Sequence, residues 1–441
     1  MGCQQIANLI IKLRARTLAL ILAASLATLL TMPVVHAQTF SIIHNFTGGQ
    51  DGANPFGALT IDRSGNLYGA ATYGGNTSCP GVDYYSGCGV IFKMRRSGSG
   101  WLFQSLYLFS GSDGANPSGG VTVAPDGTLY GTTNAGGGGS CVQSWGHSGC
   151  GTVFHLRPSP TLCLAISCRW NDTVLYQFTG GTDGGGPWGG VALDQAGNVY
   201  GTTYEGGSGD GVAYAVTHSQ SGWTESVIHT FTGGSDGGDP ASNPISDSNG
   251  NLYGTTLFGG DIGSNCPFGC GTVFELTRSG SNWNESVLHA FANNGNTALP
   301  QAGLVLDSAG NLYGTTESGL NTVFELSPGS GGWTFNTLYG TSFGGLNAFR
   351  SPVTMDSAGN LYGVTEFGGS GCTYGCGTVF KLSPSAGGWT YTTLHEFNDA
   401  DGFEPYGGVV VDSNGVVYGT ASGGGGGDCE LGCGVVWKIT P

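Results

Sequence analysis

One phrase returns seven times along this chain and limits what it can fold into. It reads GNLYG at Gly65, GTLYG at Gly127, GNVYG at Gly197, GNLYG at Gly250, Gly310 and Gly359, and GVVYG at Gly415. The tyrosines (Tyr68, Tyr130, Tyr200, Tyr253, Tyr313, Tyr362 and Tyr418) lie 49 to 70 residues apart. A recurring unit of that length is one supersecondary element repeated, and the variable spacing places insertions in its loops. Each unit carries the same strands. A run such as GGVALD (Gly189 to Asp194) leads through a tight turn into NVYGTT, two short strands bounded by Gly, Asn and Asp. The Asp that ends the first strand (Asp62, Asp194, Asp247, Asp307, Asp356, Asp412) can accept a turn N–H, and the following Gly supplies positive φ. A third strand follows (GTVFEL or GTVFKL at Gly151, Gly271 and Gly377), then a fourth opening on Trp, as in WTESVIHTF and WTYTTLHEF. Four strands per unit, seven times and without helices, predict an all-β, seven-bladed propeller of four-stranded antiparallel blades.

The ends of the repeat array support a closed ring. FSIIHNF (Phe40 to Phe46) reads as a fourth strand with no unit before it, and the array stops at CGVVWKITP, a third strand. Pairing Phe40–Phe46 with the last strand completes the final blade and removes the open edges of a linear array. The expected units are about 38–94, 101–156, 170–216, 223–276, 283–326, 333–382 and 389–439, in one domain spanning 38–441. Gly is 85 of 441 residues and charged residues are 10%, but 21 Phe, 18 Tyr and 9 Trp argue for an ordered core.

GGVALDQAGNVYGTTYEGG, CGTVFKLSP and the W..LHxF pattern in series resemble the Gloeo/Verruco (GloVer) tandem repeat of secreted bacterial proteins, over essentially all of 38–441. The resemblance implies extracellular placement and little about chemistry. Many such proteins are of a choice-of-anchor type with a C-terminal sorting anchor, whereas this chain ends at Pro441 directly after its last strand.

Lys12, Arg14 and Arg16 precede the apolar run Thr17 to Leu30 and the small-residue segment ending at Ala37. This is the pattern of a signal peptide over 1–37, too short for a membrane helix. Its removal leaves 10 Lys and Arg against 29 Asp and Glu, a balance of −19. Such a surface repels phosphate backbones, so nucleic acid is not an expected partner. No second apolar segment follows, so a secreted or periplasmic monomer without a membrane span is expected.

Twelve cysteines remain after Cys3, and an even number in an oxidising compartment favours disulfides. The expected pairs are Cys79–Cys88, Cys141–Cys150, Cys163–Cys168, Cys266–Cys270, Cys372–Cys376 and Cys429–Cys433. Five occupy the same loop of five units, and the third and fifth units lack both members. Zinc needs four converging ligands, and a thioredoxin-type pair needs CxxC beside a helix. Neither pattern is present.

Several residues carry candidate chemistry. DGxxP recurs at Asp51, Asp113, Asp183, Asp236 and Asp401, either as a ring of cation-binding carboxylates or as Asx turns. The most acidic copy, with Asp399, Asp401 and Glu404, is the candidate Ca²⁺ site, the one cofactor considered. Phe56, Trp188 and Tyr406 follow that proline near the rim of the central opening, either as stacking platforms for sugars or as packing between blades. Trp145 and His147 lie in an insertion inside a stapled loop, and His155 also departs from the repeat. His44, His229, His289 and His395 share a slot with Tyr107, Tyr176 and Tyr339, which reads as aromatic packing. Glu205, Glu317 and Glu366 close second strands. Glu317 and Glu366, with Arg350 between them, are the candidate acid, base and cation of a glycosidase or lyase.

Three functions fit. The first is a binding scaffold for an extracellular glycan or surface protein, acting through one face. The second is a carbohydrate-active enzyme using Glu317 and Glu366. The third is a structural surface protein.

Overall fold

The computed structural model describes residues 38–441 apart from 80–85, 143–146, 160–167, 281, 293–296, 320, 342–348, 374 and 428. The expected signal segment and Trp145 therefore lie outside the described residues. No helix occurs among those described. Seven four-stranded antiparallel sheets form the ring. The first blade runs outward from β2 (Thr60–Ile61) through β3 (Leu67–Ala71) and β4 (Val90–Ser97) to β5 (Gly100–Leu108). The last blade is completed across the chain ends: β1 (Thr39–Asn45) pairs with Val435–Thr440, followed by Val417–Ala421 and Val409–Val411. The spare N-terminal strand thus fills the one vacant place in the ring. Each blade spans the boundary between two sequence units, because its outer strand opens the next unit.

The repeated phrase is explained residue by residue. Asp62 accepts the backbone N–H groups of Ser64 and Asn66 at 2.8 and 2.9 Å, and the Tyr68 hydroxyl donates to it at 3.1 Å. Tyr200, Tyr313, Tyr362 and Tyr418 repeat that bond to their own turn aspartates, each at 3.1 Å. The turn glycine needs left-handed backbone, with φ of 77° at Gly65 and 83° at Gly250. The glycine after the tyrosine answers a packing constraint. Gly254 is paired with Phe274, and a Cβ there would come within 2.5 Å of the Phe274 ring. In the other blades Phe92, Phe154, Tyr214, Phe324, Phe380 and Trp437 lie over the same glycine. All seven aromatics are fully buried. A register shift just before that aromatic recurs in six blades and turns it into the core.

Neighbouring blades are stitched by the first threonine of the YGTT run. Thr132 donates to the Gly189 carbonyl at 2.6 Å, Thr202 to Ser242, Thr255 to Ala302 and Thr315 to Ser351, each of these three at 3.0 Å. The sixth blade has Val364 there, and its carbonyl accepts from the Ser351 hydroxyl within the same blade. The chain is tightly packed around the axis, where a Cβ on Gly119 would overlap the backbone of Gly189 and Gly190.

The cysteine expectation holds for Cys79–Cys88, Cys141–Cys150, Cys266–Cys270, Cys372–Cys376 and Cys429–Cys433. Cys168 is also disulfide-bonded, and its expected partner Cys163 lies outside the described residues.

Candidate functional site

In six blades the loop that enters the blade is pinned to the loop that leaves its second strand. Isolated bridges join Ala53 to Tyr73, Ala115 to Ala135, Gly185 to Glu205, Gly238 to Phe258 and Phe403 to Gly423. These short ties hold the residue that starts each inner strand at a fixed height on one face of the ring. Phe56, Ser118, Trp188, Ala241, Gln301, Arg350 and Tyr406 occupy that one position, each twelve residues before its blade's repeat tyrosine. All seven line a single cavity of about 640 Å³ over the axis. The expected aromatics therefore converge, and Trp188 is 38% exposed. The constant interval would have shown that Arg350 shares the position of Phe56, Trp188 and Tyr406. The absence of DGxxP from that unit hid it.

Phe56 meets Tyr406 with ring centroids 5.2 Å apart, and Tyr73 at 6.4 Å. Tyr73 extends the aromatic wall to His147, 5.9 Å away, which also lines the cavity from the Cys141–Cys150 loop. Tyr73 was not among the residues singled out from sequence. The interval after the tyrosine does not single it out, because Glu205 shares that place and does not line the cavity.

Arg350 forms the opposite kind of wall. Its Nε lies 2.5 Å from Glu317 Oε2 and its Nη1 3.0 Å from Glu366 Oε2. The Tyr406 hydroxyl donates to Glu366 Oε1 and stands 3.4 Å from Nη1. Glu366 is 3% exposed. Glu317 and Glu366 sit behind Arg350 and are not among the residues lining the cavity. Burial pushes the Glu317 carboxyl above its ordinary range while Arg350 opposes the rise. Burial does the same at Glu366, against the Tyr406 hydrogen bond and Arg350. Glu404, which does line the cavity, is also raised by burial, with Arg350 opposing. Burial works against the charge of Arg350, but Glu317 and Glu366 together hold it protonated above its usual value. The pair flanks a guanidinium rather than an open gap, so the arrangement immobilises a cation at the cavity wall.

Other candidates are placed elsewhere. Glu205 follows its tyrosine by five residues, Glu317 and Glu366 by four, and this one-residue difference puts Glu205 in the Gly185 bridge. The expected calcium set does not converge. Asp401 accepts from the Asn398 backbone and side chain at 2.8 Å and lies 3.1 Å from His395 Nε2. Asp399 lies beside Cys372 and Cys376, and Glu404 faces the cavity. Among the described residues the three-donor cluster found is Cys372, Cys376 and Asp399, whose sulfurs are bonded to each other. The DGxxP aspartates are turn acceptors, as Asp183 is for the Thr179 N–H at 2.8 Å. They also explain why His and Tyr exchange in one slot: Tyr176 donates to Asp183 at 2.9 Å, and His229 meets Asp236 at 3.3 Å. That slot packs on the next blade too, with His44 on Phe103 at 4.0 Å and His289 on Phe335 at 4.5 Å. His155 is a buried core residue stacked on Tyr130, and burial pushes it down to about 4.

A sequence model described as the Gloeobacter/Verrucomicrobia repeat matches residues 28–159, 139–345 and 262–441. The chain belongs to the Gloeobacter/Verrucomicrobia repeat family. No curated protein matches this repeat protein. Several solved structures are similar to it at low identity. A Bacteroides uniformis protein assigned as a 6-phosphogluconolactonase is 15% identical over 75% of this chain and 84% of its own, with a TM-score of 0.49. The periplasmic gluconolactonase of Pseudomonas aeruginosa is 15% identical over 80% and 95%, with a TM-score of 0.44. The GH74 enzyme of Niastella koreensis is 16% identical over 80% of this chain and 47% of its own, with a TM-score of 0.45. Their chemistry is not carried over to the Gloeobacter/Verrucomicrobia repeat protein.

Proposed function

We propose that the chain is a binding module for a glycan, held in the central cavity of the loop-bearing face. One observation carries the reading: Phe56, Trp188 and Tyr406 occupy one structural position in three blades and face the same cavity. Aromatic faces pack against the C–H faces of sugar rings. Asn116, Asn134, Asn243 and Gln301 line the remaining wall and offer donors and acceptors for hydroxyls. The cavity volume of about 640 Å³ falls within the usual range for small-molecule sites. The disulfides favour work outside the cytoplasm. No helix among the described residues is long and apolar enough to cross a membrane.

A glycan array with the refolded chain tests this reading. Saccharide binding that is lost in Trp188→Ala is the expected result, and an array with no saccharide signal removes the proposal in favour of a structural role. A second reading, hydrolysis by Glu317 and Glu366, draws on their burial and raised carboxyls. Polysaccharide turnover that disappears in Glu317→Gln and Glu366→Gln would support it.

A further inference from the structure

In six of the seven blades the residue two places before the cavity-lining position has left-handed backbone. Asn54, Asn116, Asp239, Leu299 and Glu404 have φ of 52°, 58°, 54°, 60° and 52°, and Gly186 has 60°. Asparagine and glycine are suited to this conformation, and glutamate and leucine are not. In the first two blades the asparagine has a structural task. Asn54 Nδ2 donates to the Ser422 carbonyl at 2.9 Å, and Asn116 Nδ2 to the Thr72 carbonyl at 3.1 Å, each reaching back to the preceding blade. A carboxylate has no hydrogen to donate to a carbonyl, so Glu404 cannot make this stitch. No described residue donates a hydrogen bond to its carboxylate, which instead lines the cavity. Gly186, Asp239 and Leu299 do not make the stitch either, so what sets Glu404 apart is an unbonded carboxylate on strained backbone at the cavity, which reads as a ligand contact.

The surrounding charge states what kind of ligand. One carboxyl, Glu404, and one guanidinium, Arg350, line this wall, and Arg350 is already engaged by Glu317 and Glu366 behind it. The chain as a whole carries −16. An anionic sugar would meet repulsion there, while an ammonium group would meet an open carboxylate with the Tyr406 and Phe56 rings alongside. We propose that the cavity selects amino sugars carrying a free amine, with Glu404 receiving the ammonium. The inference rests on the glycan-binding reading and fixes its substrate class.

The experiment is calorimetric titration of the full chain with three probes of equal length: glucosamine oligomers, their N-acetylated counterparts, and oligouronates. The expected order is free amine tightest, N-acetyl weaker, and uronate without measurable binding. Glu404→Gln should weaken the free-amine probe roughly ten- to hundredfold, as for loss of a charge-assisted hydrogen bond, and leave the N-acetyl probe little changed. Glu404→Asn introduces the residue found at this position in the first two blades. It should fold normally while losing the preference, which separates recognition from folding. Equal affinity for amine and N-acetyl probes, or tighter uronate binding, overturns the amine assignment and leaves glycan binding standing. No binding of any probe or arrayed saccharide overturns both.

Discussion

Replacing Arg350 by methionine keeps a long aliphatic stem and removes the charge, which isolates what the guanidinium does. In the folded protein the side chains of Glu366 and Glu317 are 3% and 16% exposed, and Arg350 lies 3.0 and 2.5 Å from them. Removing one partner of a buried ion pair costs about 3–5 kcal/mol, because the remaining charge has lost its water and its counter-ion. Arg350 itself is 35% exposed, so solvent offsets part of the loss and about 3 kcal/mol is expected at pH 8. The pH dependence has a definite sign. Burial already raises both carboxyls above the unfolded value of 4.5, and without the cation that rise grows. The folded state of the variant then binds protons more tightly than the unfolded chain, so its stability falls as pH rises. The penalty is absent below about pH 4.5 and complete above the raised folded value. Urea unfolding at pH 5 and pH 8 measures it: Arg350→Met should recover most of the loss at pH 5. Adding Glu366→Gln should recover part of it at pH 8. Equal losses at both pH values would show that Arg350 acts through packing, and the charge argument would be refuted.

Three further outcomes are expected. Asp172, Glu225 and Glu285 occupy one outer-strand position in three successive blades and are pushed up to about 7 by burial, then by Asp113, Asp183 and Asp236. Their folded values exceed the unfolded ones, so wild-type stability should fall between about pH 4 and 7, and Asp172→Asn should flatten a urea-unfolding profile by at most about 4 kcal/mol. Thr202→Val removes the stitch to Ser242 and should cost about 1 kcal/mol in the same assay, since Val364 already fills the equivalent place in the sixth blade. The double variant Cys141→Ser with Cys150→Ser should lose about 2–3 kcal/mol and also weaken glycan binding by calorimetry, because that loop carries His147 to the cavity. Unchanged affinity would limit the staple to stability.

The propeller was readable in the sequence because its determinants are local. The Asp62 turn, the Gly254 contact with Phe274 and the strand alternation lie within single blades and recur. Ring closure was readable too, since Phe40–Phe46 is a fourth strand lacking the other three. The convergence of Phe56, Trp188 and Tyr406 followed from their common place before an inner strand. The calcium grouping failed because sequence proximity at Asp399, Asp401 and Glu404 says nothing of direction in a turn where each successive residue points elsewhere.

Tertiary structure alone decided the charge chemistry. Glu317, Arg350 and Glu366 come from loops whose spacing in sequence does not fix their separation in space, and their neighbouring positions around the ring bring them into contact. A one-residue offset excluded Glu205 from an equivalent contact, and Glu404 lines the cavity where Asn54, Asp239 and Leu299 with the same backbone do not. Sequence thus determined the blades and how many there are, through bonds within each repeat. The site arises between repeats, where curvature of the closed ring sets which side chains meet.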